Sequence, residues 1–302
     1  MLKTKLTIVI LNFNTKELIL DCLASIKNSV HLDYFIKVIV VDNASSDGSI
    51  TELEKIPWIT LVKSPRNIGF SAGNNLAVPF LEGTYTWFLN PDTVVEPDTI
   101  SKLISYMDEH KTAGVATPRI LLPGGKLDKN CHRGLPTPWN SLCHFIGLDR
   151  LFPRSRVTAG YYLGHLPEDK TTEVDVVMGS SLLTRTKIGQ KIGWWDESYF
   201  MYGEDIDFSL KVKRLKYKVM YVPTAIIHHY HGASSGLKKT SLHITKADKS
   251  TKLRSVKAGT EAMKKFYLKY YQGNYHPLVT KIIVATISII GTIRFAKIKA
   301  LG

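Results

Sequence analysis

The chain has 302 residues, 44% hydrophobic and 22% charged, a composition that suits one large domain or one domain with an appendage. It excludes a disordered chain, a collagen-like fibre and a disulfide-framed mini-protein. Of the net charge of +14, +12 lies in residues 237–302, where 14 Lys/Arg face 2 Asp/Glu, so a near-neutral body carries a basic tail suited to an anionic surface, membrane or nucleic acid.

The first half alternates strands and helices. Leu6–Leu11 is a buried-strand run, too short for a signal peptide or a membrane span. Asn14 with Glu17 predicts a capping box for the helix carrying Leu18, Ile19, Cys22, Leu23 and Ile26. Ile36–Val41 is a second strand ending in Asp42, and a turn over Asn43–Gly48 leads into a short helix. Trp58–Val62 is a third strand, Phe70–Leu81 a helix and Tyr85–Leu89 a fourth strand ending at Asn90-Pro91-Asp92. Pro97 opens a helix with Ile100, Leu103, Ile104 and Met107 inward, followed by a strand at Ala113–Thr117. Such interleaving predicts a mostly parallel sheet with helices on both faces. Residues 121–172 have no period and read as long loops framing a site. Order returns at Val174–Met178, then a helix over Asp205–Leu215 and strands at Lys218–Val222 and Ala225–His229. A basic helix, roughly Lys249–Tyr271, and an apolar one, Leu278–Ile293, follow. Three cysteines, Cys22, Cys131 and Cys143, leave one over in any pairing and favour a reduced, cytoplasmic compartment.

Parallel sheets bind ligands at the carboxyl ends of their strands, and three acidic signals lie at or just beyond such ends. Asp42 could accept from a base N–H or a ribose hydroxyl, or with Asp47 merely shape the turn. Asp92 could ligate a hard cation that also holds a diphosphate, or belong to a Pro-containing turn. Glu204, Asp205 and Asp207 repel one another unless a helix N-terminus, a cation or a proton compensates. The preceding Gly193–Phe200 run, with Trp194, Trp195 and Glu197, suits a sugar-binding wall beside a carboxylate. His228, His229 and His231 follow a strand, and a neutral imidazole there could complete a cation site begun by Asp92. Cys131-His132 and Cys143-His144 lack proper zinc spacing, and Arg66–Asn75 lacks the Lys-Ser/Thr of a P-loop.

Taken in order, Ile8–Asn14 with Glu17, Val41–Ser49, Arg66–Asn75, Asn90–Thr93, Gly193–Asp207 and His229–Ser234 resemble the inverting glycosyltransferases of family 2. Leu89–Thr93 and Phe200–Asp207 are most similar to the bacterial rhamnosyltransferases of cell-envelope polysaccharide synthesis. The resemblance implies a GT-A (Rossmann-like) α/β domain over residues 1–235, with an acceptor side at 121–172, and a basic, partly apolar helical extension over 236–302. It implies that Leu11, Asn12, Asn14, Asp42, Asn67, Gly73 and Asn90 border the nucleotide of a nucleoside-diphosphate sugar, dTDP-rhamnose being the expected donor. Asp92 and His229 would hold Mg or Mn, Asp205 would be the general base with Glu204 beside it, and Trp194, Trp195 and Glu197 would line the acceptor or sugar. One departure is Asn90-Pro91-Asp92 where the family has Asp-x-Asp, so the site carries less negative charge.

The acceptor expected from this resemblance is a glycan or a polyprenyl-diphosphate-linked saccharide. A sugar-1-phosphate nucleotidyltransferase would carry a Gly-rich loop with a basic residue after the first strand, where this chain has Asn12-Phe13-Asn14-Thr15. A nucleic-acid-binding module would show a recognition helix or an RNA-binding signature, and neither is legible, so no nucleic-acid partner is expected. At 16 residues the last apolar segment spans about 24 Å, short of a bilayer core, and with the basic-aromatic run Ala262–Tyr271 it predicts peripheral attachment to the inner face of the membrane. Packing on the body or an oligomer contact are the alternatives.

Overall fold

A computed structural model of the chain describes residues 4–29, 35–230 and 249–300. The strands are β1 (Thr4–Asn12), β2 (Phe35–Asp42), β3 (Ile59–Lys63), β4 (Tyr85–Leu89), β5 (Thr93–Val95), β6 (Ala113–Leu121), β7 (Thr172–Val174), β8 (Ser181–Arg185) and β9 (Lys218–His229). The helices are α1 (Lys16–Lys27), α2 (Ser49–Leu53), α3 (Phe70–Asn75), α4 (Thr99–Glu109), α5 (Pro138–Phe145), α6 (Leu148–Leu151), α7 (Thr186–Ile192), α8 (Glu204–Arg214), α9 (Lys249–Tyr270) and α10 (Pro277–Ala300).

One sheet runs β3-β2-β1-β4-β8-β6-β9-β5, with β7 also on β9. Its first four strands are parallel, as the alternating sequence predicts. Beyond β4 the sheet is mixed: β8 is antiparallel to both neighbours, β6 and β9 are parallel, and β5 and β7 run antiparallel to β9. The strands are near-continuous apolar runs because helices cover the sheet, and Ile8, Ile10, Val40, Tyr85 and Trp87 are fully buried. In α4, Ile100, Leu103, Ile104 and Met107 face the core at the expected helical spacing.

Several local expectations are corrected. Asn14 does not cap α1; it takes a left-handed φ of 53° and its Oδ1 accepts from Ser46 N at 2.7 Å. The free N–H of Lys16, first residue of α1, is met by Asp47 Oδ2 at 2.8 Å, from a loop 31 residues away. The helix expected over 70–81 stops at Asn75, and Val78–Phe80 forms a separate 3-10 turn around Pro79, which cannot continue an α-helix. The two strands expected on either side of Pro223 are one strand, β9, whose pairing with β6 jumps from Pro118↔Val222 to Arg119↔Ile226 and so absorbs the proline in a bulge. Val174–Met178 is the end of β7 and a link rather than a strand of its own. The 121–172 segment contains α5 and α6, short helices whose few turns show little period.

The basic helix α9 is packed on the body. Phe266 and Ala262 are buried against Val176, Tyr199 and Ile206. Lys269 bridges Asp196 at 2.7 Å and Asp207 at 2.5 Å, and Tyr270 Oη donates to Asp207 Oδ1 at 2.6 Å. The aromatic residues expected at a membrane interface are therefore core residues here. α10 has 24 residues, about 36 Å at 1.5 Å per residue, and so exceeds both the 16-residue segment expected from sequence and the thickness of a bilayer core. It is long and apolar enough to cross a membrane, and Leu278, Ile282, Ile289 and Ile293 are exposed. The boundary expected at 235/236, and His231, lie outside the described residues.

Candidate active site

Because β1, β2 and β4 are parallel, their carboxyl ends share one edge, and the expected nucleotide residues gather there. Asp42 is fully buried: its Oδ2 accepts from Asn12 Nδ2 and its Oδ1 from Ser45 N, both at 2.8 Å. Its first task is therefore to hold the turn onto the tip of β1, where Asn14 N also donates to Ser45 Oγ at 3.0 Å. The neighbouring Asn43 ties in the next loop, with Ile68 N donating to its Oδ1 and its Nδ2 donating to Asn67 Oδ1 and Gly69 O. Gly69 has a φ of +89°, and a Cβ there would sit 2.4 Å from Phe200 O, so only glycine brings these loops together. At Gly73 a Cβ would meet Leu11 Cδ1 at 2.6 Å, which packs α3 against the end of β1.

The cation candidates converge. Thr93 of β5 pairs with His229 of β9, and this register sets His229 Nε2 at 3.2 Å from Asp92 Oδ1. Both side chains are almost wholly buried. Asp128, which the sequence reading missed, lies on the other side of the ring, its Oδ2 4.0 Å from His229 Nδ1. An imidazole nitrogen and a carboxylate oxygen facing each other suit a divalent ion, and a carboxylate behind the ring suits the orienting of a ligating histidine. Among the described residues no three His, Cys, Asp or Glu groups close around one point, so this pair would leave most positions to diphosphate oxygens and water. Beside it opens a recess of about 410 Å3, with Pro123, Gly124 and Gly125 on one wall and His228, His229 and Tyr230 on the other. His228, which also lines the recess, meets Glu96 Oε1 through its Nε2 at 3.0 Å.

The third acidic signal sits at the start of α8. Gly203, with φ +85°, turns the chain so that Glu204 and Asp205 occupy the first helical turn, buried, where the helix dipole favours negative charge. Arg133 Nη2 donates to Asp205 Oδ2 at 2.7 Å, an ion pair largely shielded from water. Burial, and then the Asp205 charge, push the Glu204 carboxyl up to about 8. Burial and the neighbouring Asp205 charge thus favour the protonated form of Glu204, which eases the repulsion expected among these residues. Asp207 is spoken for separately by Lys211, Lys269 and Tyr270. Asp205 Cβ lies 3.7 Å from the Cβ position of Gly179, and Asn90 N donates to Ser180 O at 2.9 Å, so the Asp205 side and the Asn90–Asp92 turn share the Gly179-Ser180 wall.

Trp194 and Trp195 do not form an exposed sugar wall. Both are buried, and Trp195 packs edge-on to Phe70 and Phe88 at 5.3 and 4.9 Å and against Phe208 at 4.9 Å. They are the core on which α8 rests. Glu197 reaches the surface and accepts from Asn75 Nδ2 at 2.9 Å. Arg133 and Asp128 were missed because their partners are 72 and 101 residues away; the only local signal was that each is a charge in an otherwise periodless loop.

The family model described as glycosyl transferase family 2 matches residues 7–163, and that of glycosyl transferase family group 2 matches residues 87–294. The chain belongs to glycosyltransferase family 2. It is 28% identical over 228 residues to the N-acetylglucosaminyl-diphospho-decaprenol L-rhamnosyltransferase of Mycobacterium tuberculosis, covering 72% of this chain and 73% of that protein. It is 26% identical over 171 residues to rhamnosyltransferase WbbL of Escherichia coli, covering 54% and 61%. This family 2 enzyme is thus rhamnosyltransferase-like in sequence. Its fold is shared with S. aureus TarS 1-349 in complex with UDP-GlcNAc (TM-score 0.57, 16% identity, 94% of this chain and 71% of that one). It is also shared with the mannosyltransferase PcManGT from Pyrobaculum calidifontis in complex with GDP-Man and Mn2+ (TM-score 0.57, 15% identity, 99% and 74%).

Proposed function

We propose that this glycosyltransferase moves rhamnose from dTDP-rhamnose to a hydroxyl of a polyprenyl-diphosphate-linked saccharide, with inversion at the anomeric carbon. The observation that supports the reading is that two different acidic centres, Asp92 with His229 and Asp205 with Arg133, border the same Gly179-Ser180 segment. The rhamnose donor and lipid-linked acceptor rest on the likeness to the mycobacterial rhamnosyltransferase.

Asn12, Asp42, Asn43 and Asn67 form a hydrogen-bonded frame against which a nucleotide base and ribose lie. Asp92 and His229 are the residues that would hold a divalent cation, which when bound offsets the charge of the departing diphosphate. Asp205 takes the proton of the acceptor hydroxyl as that oxygen bonds to the anomeric carbon and the bond from that carbon to the diphosphate oxygen breaks. Arg133 orients Asp205 for this, and Glu204, held protonated by its surroundings, leaves Asp205 as the single base. The exposed face of α10 attaches the enzyme to the anionic inner face of the membrane, within reach of a lipid-linked acceptor. Replacing Ile282, Ile289 and Ile293 together by Ser should then weaken partition onto phosphatidylglycerol vesicles; unchanged partition would reject attachment by α10.

A donor screen tests the reaction. Purified protein should release nucleoside diphosphate from dTDP-rhamnose faster than from UDP- or GDP-hexoses, and EDTA should suppress the release. A clear preference for another nucleotide sugar would replace rhamnose while leaving the transferase reading intact.

A further inference from the structure

α5, α6 and the turn after them carry an apolar patch that is uncovered among the described residues. Trp139, Leu142, Ile146, Leu151, Phe152 and Val157 are between 49% and 67% exposed. Over α5 and its C-cap Ile146 the exposed positions 139, 142 and 146 recur at helical spacing, so one face of the helix has no partner among the described residues. The patch is held together, because Trp139 Nε1 donates to Val157 O at 2.9 Å.

Its charge is one-sided. Arg150, Arg154 and Arg156 are exposed and make no ion pair among the described residues. The only acid in the stretch, Asp149, is buried and meets His144 Nδ1 at 2.7 Å. Large apolar and aromatic side chains rimmed by unpaired arginines match the boundary of an anionic bilayer, where acyl chains lie beneath phosphate headgroups. A protein partner would need a matching acidic rim; an anionic leaflet supplies one by composition.

The patch is also fixed to the catalytic centre. Asn140 Nδ2 of α5 donates to Leu135 O at 2.9 Å, and Gly134 N donates to Tyr161 O at 3.1 Å. Leu135 and Gly134 directly follow Arg133, whose side chain holds Asp205. We propose that the α5–α6 patch is a bilayer contact, separate from α10, that seats the acceptor side of the cleft on anionic lipid. This rests on the lipid-linked acceptor reading and adds where the enzyme meets the membrane.

The test uses tryptophan as a depth probe on the full chain. Trp139 is the most exposed of the five tryptophans, ahead of Trp58, while Trp87, Trp194 and Trp195 are buried, and α10 contains none. With vesicles of phosphatidylglycerol and a bromolipid, wild-type fluorescence should be quenched, and Trp139→Phe should remove most of that quenching. The combined R150Q/R154Q/R156Q variant should lower the patch's affinity by about fivefold per arginine, on the order of a hundredfold in all, and so lose the Trp139 quenching even where α10 keeps the protein on the vesicle. Thermal unfolding of each variant checks that it is folded. The proposal is overturned if the protein binds vesicles while wild type and Trp139→Phe are quenched equally, or if the full chain does not bind at all. It is overturned as well if Trp139 is shielded in a solution dimer. Turnover of dTDP-rhamnose is read separately: turnover without Trp139 quenching rejects the patch alone, and quenching without turnover rejects the donor reading alone.

Discussion

Replacing Asp205 by Asn should lower turnover a hundredfold or more, the usual scale for losing a general base. Its effect on stability should be much smaller, for a reason visible in the charge balance. In the wild type, Arg133 pairs with Asp205 at 2.7 Å, and the neighbouring Glu204 carboxyl is pushed up to about 8 by burial and by that same carboxylate. Removing the Asp205 charge removes the second of these causes and leaves a shielded guanidinium seeking an anion. Glu204 should then ionise and take over part of the pairing. Substituting both, Asp205→Asn with Glu204→Gln, leaves Asp128 as the remaining carboxylate acting on Arg133, and breaking a buried pair in this way costs about 3–5 kcal/mol. The three variants form a double-mutant cycle with a strong non-additive term. Urea unfolding at pH 7 and nucleoside diphosphate release read the two effects independently. Near-normal turnover by Asp205→Asn would remove it as the base. A single variant already as unstable as the double would refute the idea that Glu204 substitutes as counter-ion.

Glu204 also fixes a pH dependence: its folded carboxyl is raised from 4.5 to about 8, so the native state holds a proton that the unfolded chain has released. Stability is fully present below pH 4.5 and lost as pH rises towards 8, and Glu204→Gln should flatten this part of the unfolding curve; an unchanged slope would contradict the assignment. Asp92→Ala and His229→Ala should each weaken Mn binding measured by calorimetry with dTDP present, and equal affinity in all three proteins would defeat a shared site. Trp195→Ala should cost about 3–5 kcal/mol in unfolding while leaving the donor KM little changed in protein that stays folded, because the ring is core. A large rise in KM without loss of stability would restore the sugar-wall role.

The parallel half of the sheet was readable because each strand from β1 to β4 is a single apolar run closed by turn residues. β8 inserts antiparallel between β4 and β6, and nothing local announces that placement. Asp92 and His229 could be named from sequence as residues at strand ends, yet their meeting depends on β5 pairing with β9 across 137 positions of chain. Trp194 and Trp195 misled because an aromatic run beside carboxylates looks alike whether it lines a cleft or supports a helix; only Phe70, Phe88 and Phe208 around it decide. The tail divided differently from its composition: Lys269 and Tyr270 of α9 staple the helix to the body through Asp196 and Asp207, while α10 keeps its apolar face outward.

The central claim is transfer of rhamnose from its nucleotide to a lipid-linked saccharide by Asp205. The most direct test incubates the enzyme with dTDP-rhamnose, Mn and an N-acetylglucosaminyl-diphospho-polyprenol, and reads the lipid product by mass spectrometry. The account predicts a product heavier by one deoxyhexose residue, one dTDP released per product, and at least a hundredfold less of both with Asp205→Asn. No product from any nucleoside-diphosphate sugar, or an undiminished yield from Asp205→Asn, would contradict it.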